Sequence, residues 1–420
     1  MRVLQARESA STDVARLLLL AVLVAVNTSA YSVLTHEAII DAAWDRSIKP
    51  FLLDRYPKLT EEQLREAHAN AYGGAIMQDL GYYPLGSKFF SDLVHYVRCG
   101  DFVRALFEEA QDPNELAFAV GALAHYSADD RGHTIAINRI VPMLYPKFKR
   151  QYGDVIAYEQ APSAHMKTEF AFDVIHVSEQ HYAPDSYQDF VGFKVAKPVL
   201  ERAFLKTYGL ELKDVFLSVD LALGTFRYSV STVIPEMTKA AWAAKKDEII
   251  KATPGATRQK FVYNLSRASF EKEWGKEYER PGIFARFLGF LFRIFPKVGP
   301  FRALGFRVPP PDAQKLFMES FNETLDHYRV RVAGIRRGES LNLANENLDT
   351  GKPTTFGAYK LADKTYEKLL EKLADKKYDG MDAKLRSTVL SYFQGAKPLD
   401  EKTADQLANL RKAASLPVQP

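Results

Sequence analysis

The sequence predicts an all-α protein. Apolar residues recur at helical spacing through most of the chain, and capping residues stand where those segments begin. No convincing run of alternating strand residues occurs, and no internal repeat is present. A multi-helix bundle with a C-terminal helical extension is the architecture expected.

The first element reads as an export signal. Arg2, Arg7 and Arg16 precede the apolar run Leu17 to Val26, which is too short to span a bilayer, and the small residues Thr28, Ser29 and Ala30 follow. Cleavage is expected after Ala30, giving an exported, periplasmic or secreted, chain that begins at Tyr31; an uncleaved anchor is the alternative. Thr35 is the expected N-cap of a helix carrying Ile39, Ile40, Ala43 and Trp44. Thr60 opens the next, with Glu61 and Glu62 in a first turn that favours acids. Asp79 stands at its end, before Gly81 and Pro84. A helix from Ser87 carries Phe89, Phe90, Leu93 and His95, and Phe102 to Ala110 is amphipathic.

Pro113 suits the first turn of a helix through Glu115 to His133, ELAFAVGALAHYSADDRGH. Here His125, Asp129 and His133 fall at four-residue steps, so an imidazole and a carboxylate share one face of an otherwise apolar helix. Such a pair suits a metal ion; a buried polar pair is the alternative. Helical spacing continues to Leu144, a loop is expected from Pro146 to Pro162, and Ser163 is expected to cap a helix in which His165 and Glu169 are again four apart. Further helices are expected at about 188–205, 212–244, 311–336, 357–374 and 383–393.

The domain organisation expected is a signal peptide over 1–30, a main helical domain over 31–280, an aromatic and basic connector with a helix over 281–344, and a small helical extension over 345–420. The connector stretch 282–308 holds seven phenylalanines, five basic residues and no acid. It reads as a buried connector with its arginines reaching outward, or as an element in peripheral contact with a membrane surface.

Composition is that of an ordinary globular chain: 420 residues, 47% hydrophobic and 26% charged. A net charge of +4 is too weak to argue for nucleic acid. The single cysteine, Cys99, excludes an intramolecular disulfide and a thiolate cluster, and its setting suggests a core residue.

The chemistry-bearing groups are the expected amine of Tyr31 with His36, Asp79, His95, His125, Asp129, His133, His165 and Glu169. They hold five of the nine histidines in the chain. A nitrogen and oxygen set without sulfur suits zinc, and eight side chains with an amine exceed what one ion needs. His68, His176, His181 and His327 fall outside the set, and His176 reads as a satisfied core histidine.

In this order the residues resemble the zinc-dependent phospholipase C family, which is related in fold to the S1/P1-type nucleases. The resemblance runs over about residues 31 to 180 and implies a mostly helical protein with three zinc ions. One ion would be held by Asp79, His95, His125 and Asp129. A second would be held by His133, His165 and Glu169, and a third by Tyr31, His36 and Asp129. Asp79 is further expected to orient or deprotonate the attacking water. The family usually begins with Trp where this chain has Tyr31, and His133 follows Asp129 by a shorter step than in the family pattern. The implied activity is hydrolysis of a phospholipid phosphodiester by metal-activated water. Tyr82, Tyr83, Phe89, Phe90 and Tyr126 would line an apolar, choline-accepting wall, with ordinary core packing as the alternative for most of them. A single-strand nuclease with the same metals, which would carry Asp in place of Glu169, and a metal-stabilised binding protein without turnover are the alternatives.

Overall fold

The structure is a computed structural model that describes residues 33–178, 193–230, 234–252, 305–395 and 399–414. The expected export signal, Tyr31, His181, most of the stretch 282–308 and the tail 415–420 lie outside the described residues.

The described chain is helical. In order it forms α1 (Val33–Ala43), α2 (Lys49–Arg55), α3 (Glu61–Ile76), α4 (Lys88–Tyr96), α5 (Cys99–Glu109), α6 (Pro113–Arg131), α7 (Asn138–Leu144), α8 (Pro146–Tyr152) and α9 (Pro162–Ser178). Then come α10 (Lys197–Tyr208), α11 (Leu212–Val215), α12 (Val219–Tyr228), α13 (Ile234–Ala252), α14 (Pro311–Arg336), α15 (Lys360–Asp375), α16 (Ala383–Tyr392) and α17 (Glu401–Ala414). Among the described residues the only strands are β1 (Glu346–Asn347) and β2 (Lys352–Pro353), an antiparallel pair in which Glu346 faces Pro353.

Several helix starts follow the chemistry of their caps. Thr60 and Gln63 form a reciprocal capping box at α3, the Ser87 hydroxyl accepts from the Phe90 N–H at α4, and Asp112 accepts from the N–H groups of Asn114 and Glu115 at α6. Two expected caps are corrected. Ser163 lies inside the first turn of α9, which begins at Pro162. Thr35 lies inside the first turn of α1, because a distant carboxylate satisfies the helix start instead. Asp173 of α9 accepts from Leu34 N at 3.0 Å, Thr35 N at 3.1 Å and Thr35 Oγ1 at 2.6 Å.

Other differences are local. The expected loop at 146–162 contains α8 and a 3₁₀ turn at Tyr158–Gln160. The expected helix at 212–244 is divided, since Phe216 turns extended and Ser218 caps a fresh start. Of the helix expected over 188–205, residues 188–192 lie outside the described residues; 193–196 are not helical, and the helix runs from Lys197, where Pro198 suits a first turn.

A continuous apolar core runs from Val33 of α1 to Leu410 of α17 and includes Phe118, Phe204, Tyr328 and Leu369. Each large side chain so buried contributes about 1.5–3 kcal/mol. A smaller cluster joins Met166, Phe170 and Val174 of α9 to Met237 and Trp242 of α13 and to Phe306. Residues 305–308 are the part of the aromatic stretch that is described, and Phe306 there is buried edge-on against Phe170. Among the described residues no helix is long and apolar enough to cross a membrane.

One crossing positions the site. Helices α3 and α6 meet with backbone against backbone. A Cβ added at Gly74 would stand 2.0 Å from the Phe118 carbonyl oxygen, and one at Gly121 would stand 2.0 Å from the Ala71 carbonyl oxygen. Only glycine permits this approach. It brings the last carbonyls of α3 beside the middle of α6, where His125 lies.

Candidate metal centre

The first cluster gathers residues from four elements. His36 comes from α1, Asp79 from the 3₁₀ turn Met77–Tyr82 that follows α3, His95 from α4, and His125 and Asp129 from α6. All five are buried. Ser91 ties the 3₁₀ turn to α4: its Oγ donates to the Gln78 carbonyl at 2.5 Å and accepts from Gly81 N at 2.9 Å. The carboxylate of Asp129 is central. Its oxygens lie 3.6 Å from His36 Nε2, 3.1 Å from His95 Nε2 and 3.3 Å from His125 Nε2. Asp79 lies 3.5 Å from His95 Nε2 and 4.0 Å from His36 Nε2. The rings of His36 and His125 stack with centroids 4.2 Å apart.

The ring orientations are fixed by main-chain carbonyls. His125 Nδ1 lies 2.8 Å from the Ala75 carbonyl oxygen, and His95 Nδ1 lies 2.7 Å from the Ser91 carbonyl oxygen. A carbonyl can only accept, so each Nδ1 must carry the proton. The two Nε2 atoms then face each other at 3.1 Å with lone pairs, beside a carboxylate. Both oxygens of Asp129 are buried without a hydrogen bond. Electron-rich atoms at this spacing need a cation among them, either a proton or a metal ion. Imidazole nitrogens whose other nitrogen is held by a carbonyl, together with buried carboxylates, are the donor set of a zinc site. The residues present therefore fit the ion.

The titration behaviour follows from the same geometry. Burial, with the His125 ring next to it, drives His36 down to about 3, so it is a neutral ring. Burial also disfavours charge on His95, but the adjacent carboxylates of Asp129 and Asp79 outweigh this and push the ring up to about 10. Burial would raise Asp79 and Asp129; the neighbouring His95 and His125 hold Asp79 below and Asp129 well below the usual carboxylate range. The cluster draws positive charge to itself.

The second cluster begins with a departure from α-geometry. After Arg131 the chain forms a π-helical turn, Gly132–Ile137, and His133 sits within it. On a continued α-helix, His133 would share a face with His125 and Asp129. The wider turn groups it instead with His165 of α9, their ring centroids 5.7 Å apart. His165 Nε2 lies 2.8 Å from the Ile156 carbonyl oxygen, which leaves Nδ1 with a lone pair; burial drives this ring down to about 4. Glu169 Oε1 lies 3.8 Å from that Nδ1, and burial pushes its carboxyl well above the usual range.

Of the nine expected site groups, the structure brings five together in the first cluster and His133, His165 and Glu169 together in the second. Tyr31 lies outside the described residues. The tight second group also contains an acid that the sequence did not suggest. Asp349 Oδ1, in the loop between β1 and β2, lies 3.2 Å from His133 Nδ1. Asp173 was missed too, although it continues the four-residue steps of His165 and Glu169 along α9. The remaining described histidines are engaged elsewhere. His68 stacks between Trp44 and Tyr72 and lies 3.2 Å from Asp41; His176 stacks on Phe172 and Phe317; His327 lies 3.9 Å from Glu323. Of the expected aromatic wall, Tyr82 meets the His95 ring at 5.9 Å. Phe90 packs on Phe204 and Phe216, and Tyr83 packs on Phe226.

A family model described as zinc dependent phospholipase C matches residues 35–218, the segment that carries all eight expected side chains from His36 to Glu169. No curated protein and no solved structure matches the chain. Over residues 35–218 the chain is similar to the zinc-dependent phospholipase C family, and this match supports a zinc-dependent phospholipase C-like hydrolase.

Proposed function

We propose that this hydrolase is exported and cleaves the head-group phosphodiester of phospholipids, with zinc held at three positions. The observation that carries the reading is the facing pair of His95 and His125 Nε2 atoms, 3.1 Å apart beside Asp129. In this reading Asp79, His95, His125 and Asp129 hold one ion, and His133, His165 and Glu169 hold a second. His36, Asp129 and the main-chain amine and carbonyl of Tyr31 hold a third, which requires cleavage after Ala30. Bound zinc supplies Lewis acidity, lowering the pKa of water and neutralising charge on the phosphate.

The chain's own residues have separate tasks. The carbonyls of Ala75, Ser91 and Ile156 hold three imidazoles in the tautomer that leaves a lone pair toward the site. Asp79, held below the usual carboxylate range, stays ionised and so orients a water as an acceptor; it is a weak base for deprotonating one. Tyr82, Tyr96 and Tyr158 keep their phenol protons, because burial pushes each well above the ordinary tyrosine value, and they help exclude bulk water.

The test is hydrolysis of phosphatidylcholine vesicles by the purified protein, with single-stranded DNA as the competing substrate and each assay repeated with a chelator. Release of the phosphorylated head group, abolished by chelator and restored by zinc, supports the proposal. Cleavage of DNA alone would turn the assignment to a nuclease, and no chelator-sensitive activity on either would remove it. Mass spectrometry of the exported protein should find Tyr31 at the N-terminus; another start would remove the third ligand set.

A further inference from the structure

The second cluster contains a carboxylate from far along the chain. Asp349 lies 131 residues beyond the end of the family match at residue 218, in the loop between β1 and β2. It is buried, with only 2% of its surface exposed. Its two oxygens have different surroundings. Oδ2 accepts from Tyr158 N and from the Tyr359 hydroxyl, both at 2.8 Å. Oδ1 accepts no hydrogen bond and lies 3.2 Å from His133 Nδ1, which has no hydrogen bond either. His165 Nδ1 and Glu169 Oε1 are also buried without hydrogen bonds. Such a concentration of uncommitted buried oxygens and ring nitrogens is costly unless a cation satisfies them.

The loop that presents Asp349 is built independently of any ion. Asn347 Oδ1 accepts from Asp349 N at 3.0 Å and from Thr350 N at 3.1 Å, an Asx turn. The Asp349 carbonyl accepts from Asn138 Nδ2 at 2.7 Å, and Leu348 N donates to the His95 carbonyl at 3.2 Å. Gly351 has a φ of +62°, and a Cβ there would meet Thr134 Cγ2 at 2.7 Å. Oδ1 is therefore aimed at the imidazoles by the fold.

We propose that Asp349 is a ligand of the metal ion held by His133 and His165, supplied in cis by the C-terminal part of the chain. The inference rests on the reading of this cluster as a metal site. It makes that site a joint product of the family region and of the segment after it, so that ion binding ties the hairpin to the bundle.

The variant is Asp349→Asn in the full chain. Its amide oxygen retains the bonds from Tyr158 N and Tyr359, while a neutral amide replaces the carboxylate oxygen toward His133. Zinc per chain is measured by elemental analysis after chelator treatment and reloading, with circular dichroism and urea unfolding of the metal-free proteins as the fold control. The expected result is one fewer ion per chain in the variant, with unfolding of the metal-free form unchanged. An unchanged ion count would overturn the proposal, because it would make Asp349 a structural acceptor only. A wild-type protein that takes up no zinc would overturn the metal reading itself, which is a separate result. Should the variant not fold, hydrogen exchange of the wild type decides. Zinc should slow amide exchange over residues 346–353, and equal exchange with and without zinc would overturn the proposal.

Discussion

The Nε2 atoms of His95 and His125 stand 3.1 Å apart, and in both rings the other nitrogen is committed to a main-chain carbonyl. Neither ring can turn its proton inward without losing that bond. Removing one ring should therefore undo the site rather than merely loosen it. His125→Ala is expected to lower the zinc content by at least one ion per chain and to reduce turnover by about 100-fold or more, on the scale of ligand-shell losses. Elemental analysis beside the vesicle assay checks this. A variant with full zinc content would remove α6 as a ligand helix.

The crossing of α3 and α6 predicts a coupled loss. In Gly74→Ala the new methyl would stand 2.0 Å from the Phe118 carbonyl oxygen, which is main chain and cannot swing aside. The helices must separate, at a cost of about 1–3 kcal/mol typical of overpacked sites. Separation also draws the Ala75 carbonyl from His125 Nδ1. Urea unfolding should show the stability loss, and zinc affinity should fall in the same variant. Gly224→Ala is the control, because a Cβ there meets nothing within 4 Å.

Much of the centre was legible in the sequence, for physical reasons. His125 with Asp129, and His165 with Glu169, lie four apart on helices, and a helix carries such a pair to one face without help from the rest of the fold. His36, Asp79 and His95 were legible through their order along the chain. Three features were not. The π-helical turn after Arg131 has no periodicity of its own, so the step from Asp129 to His133 read as one more α-turn. Asp349 is one acid among many in a segment rich in Lys, Asp and Glu; the turn composition Asn347-Leu348-Asp349-Thr350-Gly351 was the available signal, and it reports a turn rather than a ligand. Thr35 read as a cap because nothing local shows that Asp173, 138 residues away, takes that role.

Asp173 gives the third prediction. Its carboxylate accepts three hydrogen bonds at the start of α1, where the N–H groups lack helical partners and the helix dipole favours negative charge. Asp173→Asn keeps the shape but replaces one acceptor by a donor facing N–H groups. The expected cost is about 1–3 kcal/mol in chemical denaturation, the range for a buried group left unsatisfied. Because α1 carries His36, zinc binding at the first cluster should weaken as well. A variant as stable as the wild type would show that the α1 start is held by other contacts.

Cys99 provides a test of the core that is independent of metal. The thiol is buried where α5 begins, and its Sγ lies 3.0 Å from the Glu346 carbonyl oxygen just ahead of the Asp349 loop. Burial pushes the thiol up to about 12. The thiolate is the reactive form, so raising the pKa lowers the reactive fraction at every pH below that value. At pH 8 the folded protein should resist iodoacetamide for hours, whereas the urea-unfolded chain, with an ordinary thiol near pH 8.5, should alkylate within minutes. Raising the pH from 8 to 9 should raise the folded-state rate by about tenfold, since the group remains far below its midpoint. Peptide mass spectrometry follows the modification. Rapid alkylation of the native chain at pH 8 would mean that the segment from Ala344 to Glu346 opens readily, and the loop could not then hold Asp349 fixed against His133.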